Sequence, residues 1–448
     1  MYKKIKSWFL DDQRRLVALG TLLEYYDFFL FIHLGTLLSK HFFRSDAPQL
    51  WFDWMKWGGI YVITPMAALF FAHFGDKFGR KPVLVFSSYL VVWSAFLLSF
   101  LPAFESWEVW STVLFVGLRF IQNAGIAGEP LAAKLYACEH MHKRDHDKMG
   151  DMYTNKTSWW LNVIGMAQDG SSLIALGIGW YITTYFPDHP YMWRLPFLFC
   201  LVGAFFIMRI RKKLVETNEF RISIPVKHNY KGLWAAIKSD RHFWIFLVLC
   251  TYVGVIFCFN IVHLSTHILE QLNRYSDANL MVHNAMLLSL NIVIGSTITW
   301  FAGNNRWQRK PIQLGMYVVS AIAWIWFYNI PISEQNYWYL LILQSLGQTC
   351  LYWDLTYGNI LRNFDIAYRF RMCALGELCG RFISFVAIGF FIPYLVNQMG
   401  LEYGLHMILF CLVYAFIAMC FYKPEENRRK EYLKWIMKYA IIKTGDHK

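Results

Sequence analysis

The turn Gly75-Asp76-Lys77-Phe78-Gly79-Arg80-Lys81-Pro82 lies between two long apolar runs of the chain. Glycine tolerates the backbone angles of a tight reversal, so two helices can be joined within these few residues. Asp76 is then placed to pair with cations or with a neighbouring helix N-terminus, tying elements together at that end. A related turn recurs in the second half, Asn304-Asn305-Arg306-Trp307-Gln308-Arg309-Lys310-Pro311. Aligned on the prolines, five of eight positions keep their character. Asp76 becomes Asn305 and Gly79 becomes Gln308, as in an internal repeat that has drifted.

Around these turns the chain of 448 residues is 56% hydrophobic, 19% aromatic and 16% charged. A water-soluble protein carries about 25% charged residues. Thirty-eight Phe, 26 Tyr and 20 Trp exceed what one aqueous core can bury, which makes the bilayer the solvent for most of the chain. Backbone groups in hydrocarbon must be satisfied internally, by helices of roughly 17 to 25 apolar residues or by barrel strands of about 10. The runs are long, so helices are expected: an all-α membrane protein with twelve transmembrane helices in two six-helix halves. The spans are 16–38, 57–74, 83–104, 108–136, 157–185, 193–209, 241–264, 282–302, 312–331, 337–360, 373–396 and 402–422. The implied organisation is a first bundle over 1–209, a cytoplasmic linker over 210–240, a second bundle over 241–422 and a tail over 423–448. The tail alternates Tyr, Leu, Trp and Ile with lysines and arginines, a pattern suited to lying on an anionic leaflet or binding a partner. Six spans plus six about a midplane site is a transporter plan.

Charge placement fixes the expected orientation. Of the 43 Lys and Arg, 35 fall on the segments that are cytoplasmic if both termini are inside, five fall on the other side, and Arg119, Lys134 and Arg381 lie within spans. Lys and Arg collect on the cytoplasmic side, so the net charge of +13 reports topology and calls for no nucleic acid. None of the nine cysteines falls in an outer loop, and no disulfide framework is implied. The first span lacks a small-residue cleavage site and is expected to be retained.

A charge at bilayer depth costs several kcal/mol unless paired or watered, which makes each one a functional candidate. Glu24 and Asp27, three apart on span 1, share a face. Two such carboxylates disfavour double ionisation, so one of them is a candidate to carry a proton; the alternative is a structural bond to tyrosines or to cations of span 4. Arg119, Gln122 and Glu129 fall within about 80° of arc on span 4 and are expected to line one cavity. Arg119 offers a bidentate fork to a carboxylate, or pairs with Asp27 or Glu24. Glu129 is placed to carry protons or to neutralise Arg119 through a water. Glu377 and Arg381 form an i, i+4 pair on span 11. Either they bridge each other or Arg381 faces the cavity opposite Arg119 and selects anions. Gln344, Gln348 and Tyr352 make a polar stripe suited to cavity lining or to interhelical bonds, and Asp354 is open to either use. His263, His267 and Glu270 have metal-ligand spacing but sit at a span end where polar residues meet water, so no metal is expected.

The octapeptide at 75–82, set between spans 2 and 3 of twelve, resembles the signature loop of the major facilitator superfamily, G-x-x-x-D-R-x-G-R-K. Further segments resemble its metabolite:proton symporter subgroup, whose members carry proline and betaine, 2-oxoglutarate, citrate or shikimate. They are Glu24-Tyr25-Tyr26-Asp27-Phe28, like E-W-Y-D-F, and Arg119-Phe120-Ile121-Gln122-Asn123 followed by Gly128-Glu129, like R-x-x-Q-G and G-G-E. Trp193-Arg194-Leu195-Pro196-Phe197 and Leu214-Val215-Glu216-Thr217-Asn218-Glu219-Phe220 are similar to W-R-x-P-F and L-x-E-T-P-x-F. Asn123, Ala127 and Asn218 depart from the pattern, and the C-terminal half follows it loosely.

The resemblance implies the major facilitator fold and a monomer in the cell (inner) membrane that takes up a small solute with protons. The proton gradient is the driving force, with no cofactor. It also implies gating by Gly75, Asp76, Gly79, Arg80 and Lys81. Arg119, Gln122, Tyr26, Asp169, Arg381 and Gln348 become the candidates for substrate contact, and Asp27, Glu24 and Glu129 for proton coupling. The arginines point to a carboxylate or a zwitterion as solute. An exporter, a carrier of polycarboxylate chelates such as siderophores, and a transport-inactive sensor or scaffold are the alternatives. A membrane enzyme would need a nucleophile-base pair or cofactor loop, and no segment supplies one.

Overall fold

The computed structural model describes residues 13–43, 63–102, 104–107, 109–139, 152–186, 189, 191–217, 220, 230–303, 309–349, 354–365, 367–386 and 401–422. All the regular structure among them is helical. The first group of helices is α1 (Gln13–His33), α2 (Gly35–Phe42), α3 (Thr64–Phe78), α4 (Arg80–Ser99), α5 (Val109–Glu139), α6 (Met152–Tyr185) and α7 (Arg194–Lys212). The second is α8 (Tyr230–Ser239), α9 (Arg241–Cys258), α10 (Ser265–Gln271), α11 (Asp277–Gly303), α12 (Arg309–Asn329), α13 (Tyr337–Gly347), α14 (Asp354–Asn363), α15 (Arg369–Val386) and α16 (Leu401–Phe421). Asn304–Gln308 of the second turn, Tyr352, the side chains of His263 and Asp354, and the tail from 423 lie outside the described residues.

Gln13–His33, Arg80–Ser99, Val109–Glu139, Ala278–Phe301 and Lys310–Asn329 are long and apolar enough to cross a bilayer, and α8 with α9 makes a sixth such segment bent by 81°. Phe70, Trp93, Trp110, Phe199, Trp300 and Phe410 turn outward. In water so much exposed aromatic surface would drive association; against lipid tails it is at home.

Within the groups, helices approach where side chains are small, because lipid supplies no hydrophobic drive and close packing must. A Cβ on Gly125 of α5 would stand 2.9 Å from the Ser87 carbonyl of α4, and one on Gly128 would stand 2.7 Å from the Phe71 ring of α3. In the second group, Gly380 of α15 lies against the backbone of α9, with Thr251 N 2.9 Å from the notional Cβ. The groups meet where α6 packs on α11 and α14, and where α15 packs on α3 and α5.

Two expectations are corrected. Span 10 is not one helix: α13 ends at Gly347, whose carbonyl accepts from Ser320 Oγ at 2.5 Å and Trp324 Nε1 at 3.1 Å. Those side-chain donors replace the next turn, and the missing Cβ of Gly347 leaves room for the Trp324 ring. The linker expected from residue 210 begins later, since α7 runs on to Lys212 with Arg211 fully buried. It also ends in a helix, α8, after which Asp240 caps α9 by accepting from His242 N–H at 2.9 Å.

Overpacking a helix contact costs about 1 to 3 kcal/mol. Gly125→Val is therefore expected to lower the thermal midpoint of the detergent-solubilised protein, whereas Gly117→Ala, whose new methyl would meet nothing within 4 Å, leaves it unchanged or slightly raised. Equal midpoints for the two variants would contradict the packing described here.

Candidate functional site

Two clusters of buried charge are stacked along α1 and α5 of the first group. In one, Arg119 and Asp27 stand 3.7 Å apart and Gln122 bridges them, accepting from Arg119 Nη1 and donating to Asp27 Oδ2. The guanidinium also lies over the Phe31 ring at 3.3 Å. In the other, Arg211 Nη2 donates to Glu129 Oε1 at 2.6 Å and to Glu24 Oε1 at 3.4 Å. Thr21 Oγ1 donates to Glu129 at 2.6 Å, and Ser88 Oγ donates to Glu24. Gly20 makes this cluster possible, because a Cβ there would sit 2.7 Å from the Arg211 guanidinium carbon.

Glu24 and Asp27 therefore do not act as a pair, although they share a helix. Each faces a different arginine, and the carboxylate that shares a cation with Glu24 is Glu129 of α5. Glu129 does not neutralise Arg119; its partner is Arg211. The sequence reading missed Arg211 by counting it among the linker cations. A signal for it was present: apart from Glu108 at the very start of span 4, spans 1 and 4 hold three carboxylates, Glu24, Asp27 and Glu129, against Arg119 and the distant Lys134, so a further buried cation was needed.

At the end of the bundle that carries the turn at 75–82, a clasp joins the two helix groups. Asp76 accepts from the backbone N–H groups of Phe370 and Arg371, each at 3.1 Å, and from Arg371 Nε at 3.0 Å. Arg80 donates to Gly75 O at 2.5 Å and to both oxygens of Glu139, at 3.0 and 2.9 Å. Glu139 also receives Arg369 Nη1 at 3.1 Å and Thr217 Oγ1 at 3.0 Å. Glu216 accepts from the backbone N–H groups of Arg80 and Lys81, both at 3.1 Å, and Lys81 Nζ reaches Lys212 O at 3.4 Å. Both glycines of the turn are sterically required. A Cβ on Gly75 would stand 2.1 Å from the Phe370 ring, and Gly79 has φ +111° with Glu216 against its Cα. Glu139, Arg369 and Arg371 were invisible as partners because they lie 59 to 295 positions away along the chain.

Between the groups, just inside the clasp, Tyr357 OH donates to Glu377 Oε1 at 3.0 Å, and Arg381 Nη2 donates to Glu377 Oε2 at 3.2 Å. The i, i+4 bridge thus forms, yet 42% of the Arg381 side chain stays accessible. Gln348 and Gln344 serve interhelical bonding: Asn291 Nδ2 donates to Gln348, while Gln344 meets His283 at 3.1 Å and donates to Asn260 O at 3.3 Å and Ser265 Oγ at 3.1 Å. That last set ties α13 to the π-helical turn Phe259–Leu264. Tyr26 is buried beside Leu30 and Phe31, and Asp169 is half-buried on α6.

Residues 17–364 match the family model described as Major Facilitator Superfamily. The shikimate transporter of Escherichia coli (strain K12) is 21% identical over 429 residues, covering 89% of this chain and 92% of that protein. The glycine betaine/proline/ectoine/pipecolic acid transporter OusA of Dickeya dadantii (strain 3937) is 24% identical over 360 residues, covering 73% and 67%. A solved structure of the proton:xylose symporter XylE superposes with a TM-score of 0.68 at 14% identity, covering 92% of this chain and 95% of that one. The chain is a multi-pass membrane transporter and belongs to the Major Facilitator Superfamily.

Proposed function

We propose that the protein is a proton-coupled symporter that moves a small organic carboxylate or zwitterion across the inner membrane by alternating access, as a monomer with both termini cytoplasmic. The observation that carries the reading is the Arg211 cluster, in which one guanidinium answers two fully buried carboxylates, Glu24 and Glu129. With both acids ionised the cluster would hold an uncompensated negative charge away from water, so one acid keeps a proton until water reaches it.

The clasp serves as the cytoplasmic gate, closed in this state. Its ion pairs join Asp76 to Arg371 and Glu139 to Arg369, so opening it separates the two helix groups. Glu24, on the same helix as Asp27, feels whether solute has engaged Arg119 and its neighbours. Shikimate is carried by one relative and betaine and proline by another, and those compounds are the first solutes to try.

Purified protein in proteoliposomes is expected to accumulate one of these solutes when the lumen is made alkaline, and to stop when a protonophore is added. Failure of every solute to respond to an imposed ΔpH would remove the symport reading, and net extrusion would make the protein an exporter. Glu129→Gln takes the shared proton out of play: solute exchange across the membrane should persist while ΔpH-driven accumulation is lost. Accumulation at the wild-type level would sink the role given to the cluster. Asp76→Asn halves the charge of the gate contact with Arg371; net uptake should fall by about tenfold or more at unchanged protein level, the loss of one charge-assisted contact of about 1.5 to 3 kcal/mol.

A further inference from the structure

The helix α8 is set across the direction of the spanning helices. It meets α9 at 81°, and Asp240 fixes the corner by capping α9 as a new helix instead of letting α8 continue. Since α9 enters the bilayer, α8 lies along the membrane surface at the clasp end of the molecule. Leu233 and Ile237, four apart, are buried. Gly232 lies against Tyr368, whose hydroxyl would stand 2.2 Å from a Cβ there. One side of α8 is thus taken by the protein. The other side carries Lys231, Trp234 and Lys238, all exposed and within about 60° of arc.

Two ammonium groups with an indole between them suit the headgroup layer of a bilayer. Tryptophan is favoured there because its ring is apolar and its N–H polar, and lysine because its stem lies on apolar surface while its charge reaches outward. Trp234 is 59% exposed, and Trp244, one turn into α9, is 51% exposed, so an indole stands on each side of the corner where the chain enters the membrane. No acid lies on α8. The next one along the chain, Asp240, is occupied by His242, whose Nδ1 lies 2.9 Å from it. The inner side of α8 connects this row to the clasp. The Arg371 guanidinium lies over the Tyr368 ring at 5.1 Å, and Arg371 is the residue that holds Asp76. How firmly α8 is seated therefore bears on the first turn of α15.

We infer that the outer side of α8 binds anionic phospholipid headgroups of the adjoining leaflet, with Lys231 and Lys238 on the phosphates and Trp234 seated between them, and that the bound lipid braces the clasp through Gly232 and Tyr368. The inference does not depend on which solute is carried. A zwitterionic headgroup fits less well, because its own ammonium competes with the lysines for the phosphate, whereas an anionic headgroup brings the charge without that cation. Contact with an anionic leaflet is worth about fivefold in affinity for each lysine.

The test titrates the full-length protein in detergent with palmitoyl-oleoyl phosphatidylglycerol or the matching phosphatidylcholine, reading retained lipid by native mass spectrometry and stability by the thermal midpoint. Phosphatidylglycerol is expected to be retained in preference and to raise the midpoint, and phosphatidylcholine to do neither. In Lys231→Gln/Lys238→Gln the affinity of the tightest-bound phosphatidylglycerol should fall by about tenfold or more and the gain in midpoint should vanish, whereas Lys231→Arg/Lys238→Arg keeps both. Equal retention of the two lipids, or an unchanged preference in the glutamine variant, would overturn the inference. The same gain from inorganic phosphate alone would overturn it too, by making the row an ordinary anion site. A second measurement needs no variant: acetylation by the neutral reagent N-hydroxysuccinimide acetate, followed by peptide mass spectrometry on the wild type in nanodiscs of either lipid. Phosphatidylglycerol should slow modification of Lys231 and Lys238 more than that of Lys77, an exposed lysine at the end of α3. Equal slowing of all three sinks the site on α8.

Discussion

Charge in hydrocarbon must be answered by charge, and that requirement organises the interior of this protein. An isolated ion loses several kcal/mol on leaving water, and the loss is recovered only in close, hydrogen-bonded pairs. The arginines at 119 and 211 are accordingly set against three carboxylates from α1 and α5, with Gln122, Ser88 and Thr21 filling the remaining positions. The helices take the rotations that make these contacts, and even the small residues follow, Gly20 being the hole into which Arg211 fits. Packing in lipid is weakly directional, whereas an ion pair is not, so the charges fix which helix faces meet.

The clasp applies the same rule where the groups join. Asp76 uses both oxygens on the first turn of α15, accepting two backbone N–H groups and a guanidinium. A carboxylate at a helix N-terminus answers donors that the helix cannot satisfy itself, and it does so with full charge. Gly75 and Gly79 then explain why the turn is glycine-rich beyond the need to reverse direction. One admits Phe370 and the other admits Glu216, so each is a contact site as well as a bend.

Much of this was legible in the chain. Composition and the length of the apolar runs gave a helical membrane protein, and the turn at 75–82 with its neighbouring motifs gave the fold family. Charged residues inside the spans, such as Glu24, Asp27, Arg119 and Glu129, were legible too, since a charge in an apolar run stands out. Their pairing was not. The rule that neighbours on a helix face interact put Glu24 with Asp27, but α4 and α7 intervene with Ser88 and Arg211, and a tertiary contact of that kind leaves no local trace. The end of α7 was misplaced for a related reason. Arg211 looks like a loop residue by polarity, and only its partners make it helical and buried. The break at Gly347 depends on donors from α12 and was equally hidden.

The chemistry of the clasp also bears on how such a molecule can alternate. Two states that interconvert readily must lie within a few kcal/mol of one another. A clasp of large apolar side chains would gain about 25 cal/mol for each Å² buried and hold one state too firmly. An ionic clasp does not. Arg80, Glu139, Arg369, Asp76 and Arg371 attract one another strongly when dry, yet on separation each recovers hydration of similar size, and buried ion pairs come out near balance. Removing one partner upsets that balance, since the charge left behind is buried without an answer. The residues at this junction therefore give specificity of register with little net preference for the joined form.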